Sequence, residues 1–393
     1  MIRTIDDVIF SDIADAIREK NGETTTYKPA EMPAAIIAIE GGGGSGGDTT
    51  IEDGMISRTI TEISNNRITT VGEDAFRSCK QLKKVNLPNA KIINNNAFYS
   101  CSALEEINIS NAETIGQYLF QSCSKLKEVD LPNAKSIGNS AFSSCSALET
   151  VNIPNVETIG TYIFGSCSKL TKVSLPKVKT IPDNGLRNST GLVELDLPLA
   201  ESIGQYACSQ LSNVEEISMP NVVEVKAYAF QSCSKLTTID LPKARTLQSM
   251  VFYMCRALKT INMPLVETMN TSCFSYCSAL EEIKLPSLTV VAGSSFSNCS
   301  ALKTADFDVA ASVAAAAFSG LTALETVILR KSDAIATLSN VSAFTNSGIA
   351  KGTGYIYVPA ALIEEYKAAT NWITYAAQFR AIEDYPEITG GNV

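Results

Sequence analysis

Residues 141–167 read AFSSCSALETVNIPNVETIGTYIFGSC, and the stretch opens and closes on one phrase, Phe142 with Cys145 and then Phe164 with Cys167. The separation is 22 residues, and it persists along the chain. One column runs Phe76, Phe98, Phe120, Phe142, Phe164, Leu186, Cys208, Phe230, Phe252, Phe274, Phe296 and Phe318 without a slip. A Leu column six residues on keeps the same register from Leu82 to Leu324, with Val214 standing in once. A fixed period of this size marks a stack of identical supersecondary units.

The spacing within one unit predicts its path. Val151 and Ile153 alternate with polar neighbours, the pattern of a half-buried strand. Pro154 has no N–H to offer a ladder and ends that strand. Val156 and Ile159 then line an apolar return path, and Tyr162–Cys167 suits a short helical turn that sets Phe164 and Cys167 on one side. A single coil cannot bury its own apolar edges, so the coils stack and their strands run parallel about 4.8 Å apart.

The unit L-x-x-V-x-L-P-x-A-x-x-I-x-x-x-A-F-x-x-C resembles the leucine-rich repeats, and specifically their BspA-like branch, over residues 49–359. The resemblance implies an α/β repeat fold: a right-handed solenoid with a parallel β-sheet on its concave face and short turns or helices on its convex face. It also implies association with bacterial surfaces and adhesion, and it carries no catalytic residues to transfer.

The ends differ from the middle. Ile60, Ile63, Ile68 and Val71 form a degenerate first coil in which Asn65 occupies an apolar column. Tyr355–Pro359 reads as a final strand, and residues 360–393 as a helical cap in which Trp372 is a packing anchor. Residues 1–40 read as a small helical attachment module and 41–48 as a Gly-rich linker, ahead of the solenoid at 49–359. The wording of 1–40 resembles short N-terminal modules of phage tail-associated proteins, and the closing YVPAALIEEYKAATNW resembles a piece that often ends BspA-like chains. Self-association or assembly through residues 1–40 is therefore an expectation.

Chemistry is narrowed by what the sequence lacks. It contains no histidine, which removes Ser-His and Cys-His nucleophiles and His-ligated zinc. A net charge of −9 with no Lys/Arg run argues against nucleic acid. No run of 18 apolar residues suggests membrane insertion, and the first twenty residues lack the features of a secretory signal.

Eleven cysteines remain to be explained. Cys79, Cys101, Cys123, Cys145 and Cys167 follow the Phe column by three residues, as do four others, and Leu211 and Leu321 replace Cys at that place. They read as small buried core groups beside the Phe rings, so no metal site, disulfide or cofactor is expected. Asn86, Asn108, Asp130, Asn152, Ser174, Asp196, Ser218, Asp240 and Asn262 form an exposed strand column suited to hydrogen-bonding along the sheet. Tyr118, Tyr162, Tyr206 and Tyr228 stand two before the Phe column, and Tyr99 and Tyr253 one after it. These six tyrosines are the candidate binding residues, since a Tyr with its rim in water can grip a sugar or a protein. The expected function is non-enzymatic: an adhesion scaffold for a protein or glycan on a cell surface, or alternatively a host-recognition part of a prophage tail or baseplate. The expected location is the cell surface or a phage particle.

Overall fold

A computed structural model describes residues 49–51 and 58–389 of the 393. The attachment module 1–40 and the linker 41–48 expected from the sequence lie outside the described residues. The rest is a parallel-strand solenoid of three-sided coils.

The first side is the expected sheet, here sheet A, built of three-residue strands such as Lys84–Asn86, Glu106–Asn108 and Thr150–Asn152. Pairing is parallel and offset by one coil, with Val85 opposite Ile107. The return path forms a second ladder, sheet B, of two-residue strands such as Ile92–Ile93, Thr114–Ile115 and Thr158–Ile159. The expectation of a single sheet therefore becomes two, because Ile93 and its equivalents extend as they cross the core.

The third side is not helical. Tyr162 and Ser166, flanking Phe164, have φ of 56° and 61°, in the left-handed region. The N–H groups of Tyr162, Phe164 and Ser166 donate to the Asp183, Gly185 and Arg187 carbonyls of the next coil at 3.3, 2.8 and 2.9 Å. A helix would turn those N–H groups back into their own coil. Left-handed residues at each end of the turn, four apart, instead aim every second N–H along the stack, and a turn ladder results.

The core lies between the three sides. Phe rings stack with centroids 5.0–5.7 Å apart from Phe76 to Phe164 and from Phe230 to Phe344. Between them Leu186 and Cys208 interrupt the stack. Gly116, Gly138, Gly160 and Gly204 stand where successive coils come closest: a Cβ there would fall 2.3–2.6 Å from the backbone of the coil before.

Both ends are covered by further strands. Thr49–Ile51 pairs with Ile68–Val71, placing one more sheet-B strand ahead of the first coil. Asn65 Oδ1 accepts from the Arg67 N–H at 2.8 Å, which turns the chain where other coils place an apolar residue. Tyr355–Val358 is not the last strand: Phe379–Ala381 pairs beyond it, inside the stretch expected to be helical. Around that strand the cap is helical in short pieces, Ile363–Ala368, Trp372–Gln378 and Pro386–Thr389. Trp372 is fully buried against Phe344, Tyr366 and Phe379, and its Nε1–H donates to the Ala336 carbonyl at 2.6 Å.

Candidate recognition surface

All eleven cysteines are buried, and none is in a disulfide. They do more than fill space. Eight thiols, from Cys101 to Cys299, each donate to the main-chain carbonyl of the Phe-column residue one coil before, with S···O of 3.0–3.2 Å. In the seven cases where that carbonyl belongs to a Phe, it already accepts an N–H within its own turn, as Phe120 does from Cys123 at 2.9 Å, so the thiol takes the second lone pair. Burial pushes the Cys145 and Cys299 thiols up to about 12, and Cys167 and Cys277 well above the usual thiol range. Such thiols are neither nucleophiles nor ligands. Among the described residues no group of three or more Cys, Asp or Glu side chains is placed to hold a metal ion.

The exposed face of sheet A satisfies itself. Asn108 Nδ2 donates to Asn86 Oδ1 at 2.8 Å, Asn152 to Asp130 at 2.7 Å, and both Ser218 and Asn262 bond Asp240. A further pattern escaped the sequence reading. The column Lys91, Glu113, Lys135, Glu157, Lys179, Glu201 alternates in sign, and so do Lys83, Glu105, Lys127, Glu149 and later Lys259, Glu281, Lys303, Glu325. Stacking sets these opposite charges on neighbouring coils and closes two of them into ion pairs, Lys179–Glu201 at 2.9 Å and Lys303–Glu281 at 2.8 Å. A partner docking on these faces would have to displace bonds already made.

The turn side is different in kind. Tyr118 and Tyr162 are 38% and 42% exposed, the most open of the six tyrosines singled out from the sequence. Tyr206 and Tyr228 stack face to face, 4.5 Å between centroids, and the Arg187 guanidinium lies 4.8 Å from the Tyr206 ring. Tyr99 is half-buried under Arg77, and Tyr253 meets Tyr276 edge-on at 5.7 Å. Tyr276, 39% exposed, was not singled out because it stands two after the Phe column, where half of the coils have Ser. The turn ladder brings all these residues to one side. It does not gather them into one patch, since Tyr99, Tyr118 and Tyr162 lie toward one end and Tyr253 and Tyr276 toward the other.

The tyrosines are not there for the backbone. Tyr118, Tyr162, Tyr206 and Tyr228 have φ of 55–61°, the same as Asp74, Asn96, Ser140 and Asn184 in their column. A left-handed conformation suits Asn and Asp and disfavours a bulky ring by roughly 1–2 kcal/mol. Four rings at strained positions, none filling the core, need another reason.

Comparison with known proteins agrees with this architecture. The BspA type leucine rich repeat region, in six copies, matches residues 56–170, 135–255, 201–325 and 245–353. No curated protein sequence matches the chain. Among solved structures, a leucine-rich repeat protein from Bacteroides ovatus ATCC 8483 is similar with a TM-score of 0.68 and 26% identity, over 83% of this chain and 84% of that one. A leucine-rich repeat protein from Eubacterium ventriosum ATCC 27560 shares 22% identity at a TM-score of 0.43, over 74% and 84% of the two chains. A leucine rich cell surface protein from Faecalibacterium prausnitzii A2-165 shares 19% at 0.38, over 84% and 86%. The family match begins at residue 56 and offers no counterpart for residues 1–40 or for their likeness to phage tail modules. Among the described residues no helix is long and apolar enough to cross a membrane.

Proposed function

Because the chain belongs to the BspA-type leucine-rich-repeat family, we propose that it is a non-enzymatic adhesion scaffold on a bacterial surface that holds a protein or glycan ligand along its turn side. The observation that carries this reading is the placing of exposed Tyr118 and Tyr162 at left-handed positions that favour Asn. Strain kept at a surface, without a packing return, points to use. The sheet faces support the same choice, since their polar groups are already paired across coils. Aromatic rings with wet rims supply contact area at little entropic cost, whether the ligand is a sugar or a protein. In the same proposal residues 1–40 attach the scaffold and 41–48 tether it.

The test replaces Tyr118, Tyr162 and Tyr228 together by Asn, the residue their column holds at Asn96 and Asn184. Binding in a glycan array and a host-cell protein screen is expected to drop at least tenfold, with the melting temperature little changed, since the strain relieved offsets the Tyr206–Tyr228 stack that is lost. Full binding by the triple variant would move recognition off the turn side.

A further inference from the structure

A three-sided coil is held firmly when all three sides bond to the next one. At two junctions both sheet sides are unpaired, and one of these is the weaker. In sheet A, Thr150–Asn152 is not paired with Lys172–Ser174, and in sheet B, Thr158–Ile159 is not paired with Thr180–Ile181. The turn ladder across the same junction is complete, with the Tyr162, Phe164 and Ser166 N–H groups all donating forward.

The sequence supplies causes. In neighbouring coils Gly160 and Gly204 donate their N–H to the Ile137 and Ile181 carbonyls one coil before, at 2.9 and 2.8 Å. Pro182 occupies the equivalent place and has no N–H to give Ile159. The ring stack also ends here, with Leu186 and then Cys208 following Phe164. Burial records the parting. Val151 and Ile159 are only partly buried, whereas Val129, Val173, Ile137 and Ile181 in the same columns are fully covered.

Both sheets also part between Thr260–Asn262 with Thr268–Met269 and the coil of Glu282–Lys284 with Val290–Val291. That second junction keeps a sheet-side bond, Thr289 N–H to Glu267 O at 3.2 Å, and the Phe274–Phe296 stack at 5.6 Å. The Pro182 junction keeps no such main-chain bond and no ring stack; away from the turn ladder it is crossed by the exposed Lys177 Nζ–Asn155 Oδ1 bond at 2.8 Å.

We infer that the solenoid is hinged at Pro182: the coils before and after it move as two blocks about an axis through the turn segment Tyr162–Ser166, opening and closing the two sheet sides. The tyrosine column lies next to that axis and so changes least, which leaves this inference independent of the ligand proposed above. Segments with few bonds of their own open at low free-energy cost, and a hinge draws on them.

Two measurements on the full chain test it. In native hydrogen exchange, the Lys172, Lys179 and Thr180 amides are expected to exchange at least tenfold faster than Glu194, Glu201 and Ser202 one coil on. Equal protection would overturn the hinge. In the second, spin labels on Glu113→Cys with Glu201→Cys span the junction, and labels on Lys179→Cys with Glu267→Cys span as many coils of unbroken sheet B, both roughly 19 Å apart. The first pair is expected to give the broader distance distribution, and Pro182→Gly to narrow it to that of the second. Equally narrow distributions for both pairs in the parent chain would overturn the proposal, whether or not the Pro182 variant folds.

Discussion

The Cys145 thiol donates to the Phe120 carbonyl one coil before it at 3.0 Å, and the Ser189 hydroxyl makes the equivalent bond to Phe164. One polar contact is thus served by two chemistries. Cys145→Ser should keep the bond and lose about 1 kcal/mol or less, while Cys145→Ala should lose about 1–2 kcal/mol through the missing donor and a small void. Denaturant unfolding of the two variants decides it; equal losses would mean that the thiol acts by volume alone.

Burial raises the folded-state pKa of Cys145, Cys273 and Cys299 to about 12, above the roughly 8.5 of an unfolded thiol. A thiol ionises more readily once unfolded, so its contribution is complete below about pH 8.5 and is lost as pH rises toward 12. Each such thiol should then remove about 1.4 kcal/mol of stability per pH unit. Melting temperature is expected to hold to about pH 8.5 and fall steeply above it. At pH 7.5 a thiol reagent should label almost no cysteine of the native chain.

Phe142 stacks on both Phe120 and Phe164, at 5.7 and 5.3 Å. Phe142→Ala should cost about 3–5 kcal/mol, the range for deleting a buried ring. Phe142→Leu should cost less, since Leu186 fills that column elsewhere. Calorimetry of the pair separates ring stacking from simple filling.

Arg330 clamps the C-terminal end. Its guanidinium grips Asp306 with two bonds of 2.9 and 3.0 Å and reaches the Ile388 carbonyl at 2.7 Å. Arg330→Lys cannot reproduce the fork. With the Arg side chain 23% exposed, a loss of about 1–3 kcal/mol is expected, together with faster proteolysis after residue 380. Unchanged proteolysis would mean that the cap is held by Trp372 and Tyr366 alone.

The fold was legible wherever a column repeats. The Phe, Leu and Cys columns recur often enough that burial and stacking followed from spacing, and Asn86 with Asn108 could be read as a ladder before any distance was measured. Features that depend on backbone conformation were not. Nothing in Tyr162–Cys167 distinguishes a helical turn from a turn with left-handed residues at each end until the next coil's carbonyls are in place. The thiol–carbonyl bond was missed because it links a side chain to a main-chain atom, which no residue column displays. The parting at Pro182 was visible as a Pro among glycines, but its meaning depends on the Ile159 carbonyl lying opposite. For the tyrosines, spacing decides the side of the molecule but not the exposure, which is set by neighbours such as Arg187 over Tyr206.

The alternating Lys and Glu columns have one more effect. A single duplicated coil inserted between Lys91 and Glu201 would fold as well as its neighbours, with its Phe, Leu and Cys in register, yet it would set two like charges side by side. Two duplicated coils would not. Gene duplication acting on this stretch is therefore steered toward even steps, and close kin of this chain should differ in length by pairs of coils more often than by one.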